Sequence, residues 1–543
     1  MSLTARDLGM DLPISRRDLF DGIAVGCVLA PGRAAAEPAR EAVQEAQDRA
    51  APFTVRGDTG EALSVPHALR DGRFWEHAGP PVPTGERFDL VVVGGGRGGL
   101  SAAAEWLRRR PLASVLVLDN RDGEPSEEYG EHDSHGERRS AGRGAGPLRR
   151  GTAPDAVMCD AESFGTDTLV GLSSPGWIDR LPIAAQARRD LLTLYGDAPD
   201  WFPGLSAEGR QERLAGLTYS EFLREVCGAH PDAERFCRTM SCPEWGYDTR
   251  AFGAIDAWGT GYPGFGGLGL GRDEPSRYNS PTVRREWHGP VPVPPAPAPD
   301  ERARLRPSSP VVSVRDGAGS ASVGYFDGHR VRTVEAGAVI LACWNAVVPY
   351  LVPALPEARR RALREAVRVP LVSATVRLRD AGAWRRLGVR RVRWTGAYWS
   401  WCEFAPPGGV RLLATPCRSE LGPGEGSAAG RRELFRTPYE SLERSVRDQL
   451  ARLLGPVGFD PGGDIAAITV HRWGHALAPE YCRPWHPFYP DGPFPAEAAR
   501  GPFGRIAIAG SDAGSCAGSA SEPVARGEAA VAAAVRAVEE LSR

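Results

Sequence analysis

Gly94, Gly96 and Gly99 stand at the spacing G-x-G-x-x-G directly after the apolar run Leu90–Val93, and Ser101 to Arg109 continues in a helical pattern. A strand–turn–helix unit of this kind is built to hold a dinucleotide. The first glycine permits the tight turn, the second lets backbone approach a pyrophosphate, and the third lets helix and strand pack closely. The helix N-terminus adds free N–H groups and a partial positive charge. The next apolar run, Val115–Leu118, ends in Asp119, where a carboxylate can hold ribose hydroxyls. Near the other end of the chain, Ile506–Ala509 precedes Gly-Ser-Asp512 and a final helix, which puts Asp512 near the far half of an extended dinucleotide or makes it a helix cap.

Other residues suggest a second kind of chemistry. If residues 397–404 form a strand, Trp399, Trp401 and Glu403 share one face, and aromatic rings beside a carboxylate can recognise a cation. The same pattern also suits a half-buried strand. Trp473 lies between His471 and His475 and can face a cofactor ring or pack in a core. Cys343 and Trp344 end a strand on the ligand side. Cys227, Cys237 and Cys242 lack suitably placed histidines and read as buried thiols; His132, Asp133 and His135 read as a solvated loop, so no metal site is expected.

The chain has 543 residues and a formal charge of −2, which gives no reason to expect a nucleic-acid partner. All of its basic residues are arginines, so neither a Schiff-base lysine nor a lysine poised against a cofactor can exist. No apolar run approaches the ~20 residues of a membrane span. Ser15-Arg-Arg-Asp-Leu-Phe20, a mild apolar segment and Arg33-Ala-Ala-Ala36 resemble a twin-arginine leader over residues 1–36, implying periplasmic export or, if retained, a cytoplasmic protein.

The elements that must position these residues suggest an α/β chain: a Rossmann-like parallel sheet with a β-meander, plus a mixed sheet-and-helix substrate domain. The nucleotide-binding parts are expected at 86–153, 306–350 and 500–543, and the substrate parts at 154–305 and 351–499. Residues 120–153 read as a poorly ordered loop, Ala184–Leu194 and Leu217–Val226 as helices, and Gly289–Pro310 as a semi-rigid spacer. Val311–Val314, Ser322–Phe326 and Arg330–Val334 read as a three-stranded meander, and Ala338–Cys343 as a strand returning to the parallel sheet. Strand-rich sequence follows over 370–415, then a long helix over 438–454. A meander inserted before a returning strand favours FAD over NAD.

Several of these stretches together resemble the bacterial FAD-dependent spermidine dehydrogenases. The carriers are Arg16–Phe20, Asp89–Leu100, Val115–Asn120, Trp258–Leu270, Leu341–Asn345 with Val348–Tyr350, Val369–Val372, Leu413–Cys417, Ile468–Trp473 and Phe503–Ile508 with Ser511–Gly514. The resemblance implies a two-domain flavoprotein that oxidises a C–N bond of a polyamine such as spermidine by hydride transfer to flavin N5. It implies a small-molecule amine substrate and an electron acceptor that the residues do not identify. The family pattern is broken after Gly123, where an acidic loop replaces a basic-aromatic segment, and over Trp287–Pro299. A homologue impaired in catalysis or free of flavin, acting as a partner protein, therefore stays open beside the enzyme, as does a flavoenzyme for a different amine.

Overall fold

The computed structural model describes residues 53–58, 63–121, 155–271, 274–287, 300–405, 408–478, 480–514 and 526–542. Residues 1–36, read above as a leader, the stretch from residue 122 with His132 and His135, read above as a loop, and residues 288–299 lie outside the described residues. In chain order the strands are β1 (Phe53–Gly57), β2 (Val82–Val93), β3 (Val115–Leu118), β4 (Ala156–Cys159), β5 (Thr168–Gly171), β6 (Ala303–Arg306), β7 (Val311–Asp316) and β8 (Ala321–Phe326). They continue with β9 (Val331–Leu341), β10 (Val369–Leu378), β11 (Arg391–Trp394), β12 (Trp401–Ala405), β13 (Gly409–Ala414), β14 (Ile465–Leu477) and β15 (Ile506–Ile508). The helices that matter below are α1 (Arg97–Arg109), α2 (Pro423–Arg436), α3 (Tyr439–Leu454), α4 (Ser511–Gly514) and α5 (Arg526–Ser542).

One sheet runs β6-β3-β2-β9-β8-β7, with β15 also paired to β9; its β6, β3, β2, β9 and β15 are parallel neighbours. Burial explains the hydropathy of β2. Its first eight residues alternate between half-buried and exposed, and Leu90–Val93 are all buried, because only that end is covered on both faces. Leu90, Val92 and Val117 pack with Trp106 of α1 and Val538 of α5 on one side; Val91, Leu116, Leu341 and Leu351 form the core on the other.

Two expectations are corrected in this sheet. The third meander strand and the returning strand are one continuous β9. It pairs with β8 over Val331–Ala336 and runs on between β2 and β15 over Ala338–Leu341. Glu335-Ala336-Gly337 offers no turn chemistry, and Gly337 lets the strand pass tight against its neighbour: a Cβ there would lie 2.9 Å from the Asp89 carbonyl oxygen. The stretch read as a spacer up to Pro310 contains β6, which closes the sheet edge against β3.

The second sheet runs β1-β14-β10-β13-β12-β11-β4-β5. α3 covers it with Leu442, Val446 and Leu450 against Val376, Trp394 and Leu412. A separate core gathers the helical region, including Tyr219, Phe222 and Trp258. In the helix expected over Leu217–Val226 a capping box forms between Thr218 and Glu221, three residues apart as such a box requires, and the helix continues as a π-helical turn over Phe222–Val226.

Trp399 does not share a strand face with Trp401 and Glu403. The Asp160 carboxylate accepts hydrogen bonds from the Gly396 and Ala397 amides (2.6 and 3.0 Å), which takes them out of the ladder, and the strand resumes only at Trp401. Trp399 sits in the intervening bend, fully buried. Its Nε1 donates to Ser445 Oγ at 2.9 Å, and its backbone exchanges hydrogen bonds with Gln449. Cys402 belongs to the same core, so alternation turns Trp401 and Glu403 to the opposite, half-buried face. Trp399→Ala is expected to lower stability by about 3–5 kcal/mol through cavity creation. Urea unfolding followed by circular dichroism checks this, and an unchanged midpoint would show the ring to be dispensable for packing.

Candidate functional site

The ends of β2, β9 and β15 converge on one edge of the parallel sheet. Gly94 has φ +108°, and a Cβ there would sit 2.8 Å from the Ala342 carbonyl oxygen. Gly96 is the N-cap of α1 in extended conformation. A Cβ on Gly99 would fall 1.8 Å from the Gly94 carbonyl oxygen, so nothing but glycine fits between helix and turn. Gly95, which the motif does not specify, is equally constrained: its Cβ would lie 2.5 Å from Asp119 Oδ2.

Asp119 ends β3 with its carboxylate against that turn, only 2 % exposed. Its Oδ2 has no hydrogen-bond partner among the described residues; the Arg121 guanidinium stands 3.5 Å away. Asp512, in α4 just beyond β15, is equally buried, and both of its oxygens have partners within the protein. Its Oδ2 accepts from the Asn345 backbone N–H (3.0 Å) and its Oδ1 pairs with Arg368 Nη1. The same guanidinium donates to Ser511 Oγ (2.9 Å), to the His475 carbonyl (2.7 Å) and to the Ala476 carbonyl (2.6 Å). Arg368 thus bridges the end of the parallel sheet to β14 of the other sheet. Those carbonyls are available because β14 departs from regular register with β10 between Trp473 and Leu477.

Around this bridge lie His475, Trp344, Arg431 and Asp58. The Trp344 and His475 rings are 4.2 Å apart. Burial, with Arg431 and Arg368 close by, pushes the His475 imidazole well below its ordinary value. Arg431 Nη1 stands 3.0 Å from His475 Nδ1, and a guanidinium can only donate, so the neutral ring carries its proton on Nε2. Asp58 follows β1 and accepts from the His475 N–H at 3.3 Å. Burial raises its carboxyl to about 6, against the pull of Arg121 and Arg368.

The structure therefore brings Gly94, Gly96, Gly99, Asp119 and Asp512 together. Trp473 stands in β14, 6 % exposed and stacked on His471, two residues before His475. Trp401 and Glu403 are on β12, three strand spacings or roughly 14 Å from β14, and Glu403 faces Arg390 at 3.6 Å. Sequence reasoning missed Asp58, Gly95, Asn345, Arg368 and Arg431. Gly95 had a visible signal as the middle of three consecutive glycines, and Asn345 as the end of the stretch Leu341–Asn345; one arginine among so many carries none. A surface hollow of about 640 Å³ lies at the opposite edge of the sheet, lined by Asp89, Trp106, Arg110 and Leu541, away from the strand ends where ligands of such sheets bind. Among the described residues no cluster of three or more His, Cys, Asp or Glu could hold a metal ion, and no helix is long and apolar enough to cross a membrane.

Residues 289–538 match the family model described as flavin containing amine oxidoreductase. This segment is similar to flavin containing amine oxidoreductases. The segment includes β9, Asn345, Arg368, β14 and Asp512, and the glycine turn and Asp119 lie upstream of it. No curated protein matches the chain. Among solved structures, putrescine oxidase with bound putrescine is 16% identical, with 84% of this chain and 99% of that one covered and a TM-score of 0.45. Cyclohexylamine oxidase from Brevibacterium oxydans is likewise 16% identical, covering 84% of this chain and 100% of that one, with a TM-score of 0.45. The cofactor this match implies is FAD, and the residues present fit it. A buried carboxylate oxygen that accepts no hydrogen bond among the described residues faces a backbone turn that a single Cβ would fill.

Asp58 provides a test of the cleft's electrostatics. Between its ordinary value of 3.8 and about 6, the folded protein holds a proton that the unfolded chain has lost, so this group's contribution to stability falls as pH rises through that window. The full change is on the order of 3 kcal/mol. Asp58→Asn should flatten the stability profile between pH 4 and 6, measured by urea midpoints; an unaltered slope would mean that Asp58 titrates normally.

Proposed function

We propose that this chain oxidises a C–N bond of a polyamine of the spermidine class. The single observation that carries the flavoprotein half of this reading is the buried Asp119 Oδ2, which accepts no hydrogen bond among the described residues and lies against Gly95. Asp119 holds the adenosine ribose through its hydroxyls, the Gly94–Gly99 turn and the N-terminus of α1 hold the pyrophosphate, and Asp512 organises the far end of the site. Bound FAD supplies the acceptor for a hydride from the carbon beside the amine nitrogen.

The chain's own part is to deliver that nitrogen uncharged. Free alkylammonium groups titrate near ~10.4, as Lys does. The environment that keeps His475 neutral, with Arg368 and Arg431 close and little solvent, acts in the same sense on a bound ammonium. Of the four side chains suggested for substrate contact, Trp473 stands nearest this environment. Trp399 is core, and Trp401 with Glu403 faces a different part of the second sheet. The leader over residues 1–36 suits export of a folded, cofactor-loaded enzyme, with cytoplasmic retention as the other outcome of a localisation test.

Protein expressed without the leader is expected to show bands near ~375 and ~450 nm, the absorption of oxidised flavin, and to bleach when spermidine is added without oxygen. Bands without bleaching would move the substrate to another amine. Folded protein that stays colourless after incubation with FAD would leave a flavin-free homologue. Asp119→Ala should weaken FAD binding by roughly 10- to 100-fold, as expected for loss of hydrogen bonds to a charged acceptor. Glu403→Gln should leave kcat/KM for spermidine within about twofold, since its charge is partly exposed and paired away from the cleft.

A further inference from the structure

The site contains a second buried acceptor without a partner. Asn345 is 1 % exposed, and its Oδ1 makes no hydrogen bond among the described residues. Its position is closely fixed. Residues 342–345 leave the end of β9 between two turns: Gly94 abuts the Ala342 carbonyl on one side, and a Cβ on Gly510 would meet the Cys343 carbonyl at 3.2 Å on the other. The Asn345 N–H is held by Asp512, and Asp512 by Arg368.

The order of strand ends gives this oxygen a role. Along the ligand edge the sequence is β3, β2, β9, β15, carrying Asp119, the Gly94 turn, Asn345 and Asp512. With the ribose over β3 and the pyrophosphate over β2, the next part of the ligand passes over β9, one strand spacing of ~4.8 Å further on. In FAD that part is the ribityl chain, whose hydroxyls are donors. A buried acceptor is satisfied by a donor, and Asn345 Oδ1 has none among the described residues, whereas each oxygen of Asp512 already accepts one hydrogen bond within the protein.

We propose that Asn345 Oδ1 is the protein's acceptor for a ribityl hydroxyl of FAD, and that Asp512 is a positioning residue acting through the Asn345 backbone and Arg368. The inference rests on the FAD reading above and goes beyond it by assigning the contact to a residue that no sequence motif singles out.

The test uses the full chain without its leader, stripped of flavin, and isothermal titration with FAD and separately with ADP, which lacks the ribityl chain. Asn345→Ala is expected to weaken FAD by about five- to tenfold, as for one neutral hydrogen bond. ADP affinity and the melting temperature of the stripped protein should stay unchanged, because the oxygen removed makes no bond within the protein. Asn345→Asp, which keeps an acceptor, should restore most of the FAD affinity. A second measurement needs no variant: FAD with its ribityl hydroxyls replaced by hydrogen should bind wild type more weakly by the same factor, and should lose nothing further in Asn345→Ala. Equal FAD affinity in wild type and Asn345→Ala overturns the inference, as does an equal loss for ADP. Wild type that binds ADP but gains nothing from FAD overturns it too. Wild type that binds neither ligand overturns the FAD reading itself and this inference with it.

Discussion

A buried guanidinium cannot lose its proton, so the chain around Arg368 must supply acceptors for every direction in which it donates. Two pieces of the fold do this: the side chains of Ser511 and Asp512 at the end of the parallel sheet, and the carbonyls of His475 and Ala476 in β14. The consequence is architectural. The irregular end of β14 and the start of α4 cannot separate without stranding a charge away from water, a loss of about 3–5 kcal/mol. The relation of the two sheets at the ligand edge, and with it the placing of His475 and Asn345, follows from this bridge.

The same bridge sets the electrostatics of the cleft. Arg121, Arg368 and Arg431 stand among Asp58, Asp119 and Asp512, and the balance is local. Asp512 is tightly paired, Asp119 is left with an unsatisfied oxygen, and Asp58 is buried deeply enough that two arginines do not hold it in the ordinary carboxylate range. His475 takes the opposite consequence and stays neutral, accepting from Arg431. The residues at this edge thus disfavour an added positive charge and present acceptors to hydroxyl groups.

Backbone geometry at the edge leaves little freedom in residue type. Gly94, Gly95 and Gly99 each lie where a Cβ would strike main chain or the Asp119 carboxylate, and Gly337 plays the corresponding part lower in the sheet. These close approaches bring β2, β9 and β3 into one continuous surface. They also explain why the meander runs unbroken into the parallel sheet and is not closed by another turn.

Read alone, the sequence determined the strand–turn–helix around Gly94, the acidic ends of β3 and β15, the capping box at Thr218 and the long helix α3, because each depends on neighbours in the chain: periodic burial, glycine conformation, a cap three residues away. Only the tertiary structure decided that Trp399 is core, that β12 begins at Trp401 and not at residue 397, and that Asp512 is held by Arg368 and Asn345. The strand break and the pairing of Asp512 depend on partners more than a hundred residues away, and the burial of Trp399 on Ser445 and Gln449, some fifty residues on. Asp160, just past the end of the neighbouring strand β4, breaks the strand, and Arg368 is one arginine among many until folding sets it against Asp512. A residue's type and spacing state what chemistry it can perform; which of its donors and acceptors remain free for a ligand is settled by contacts that local sequence does not encode.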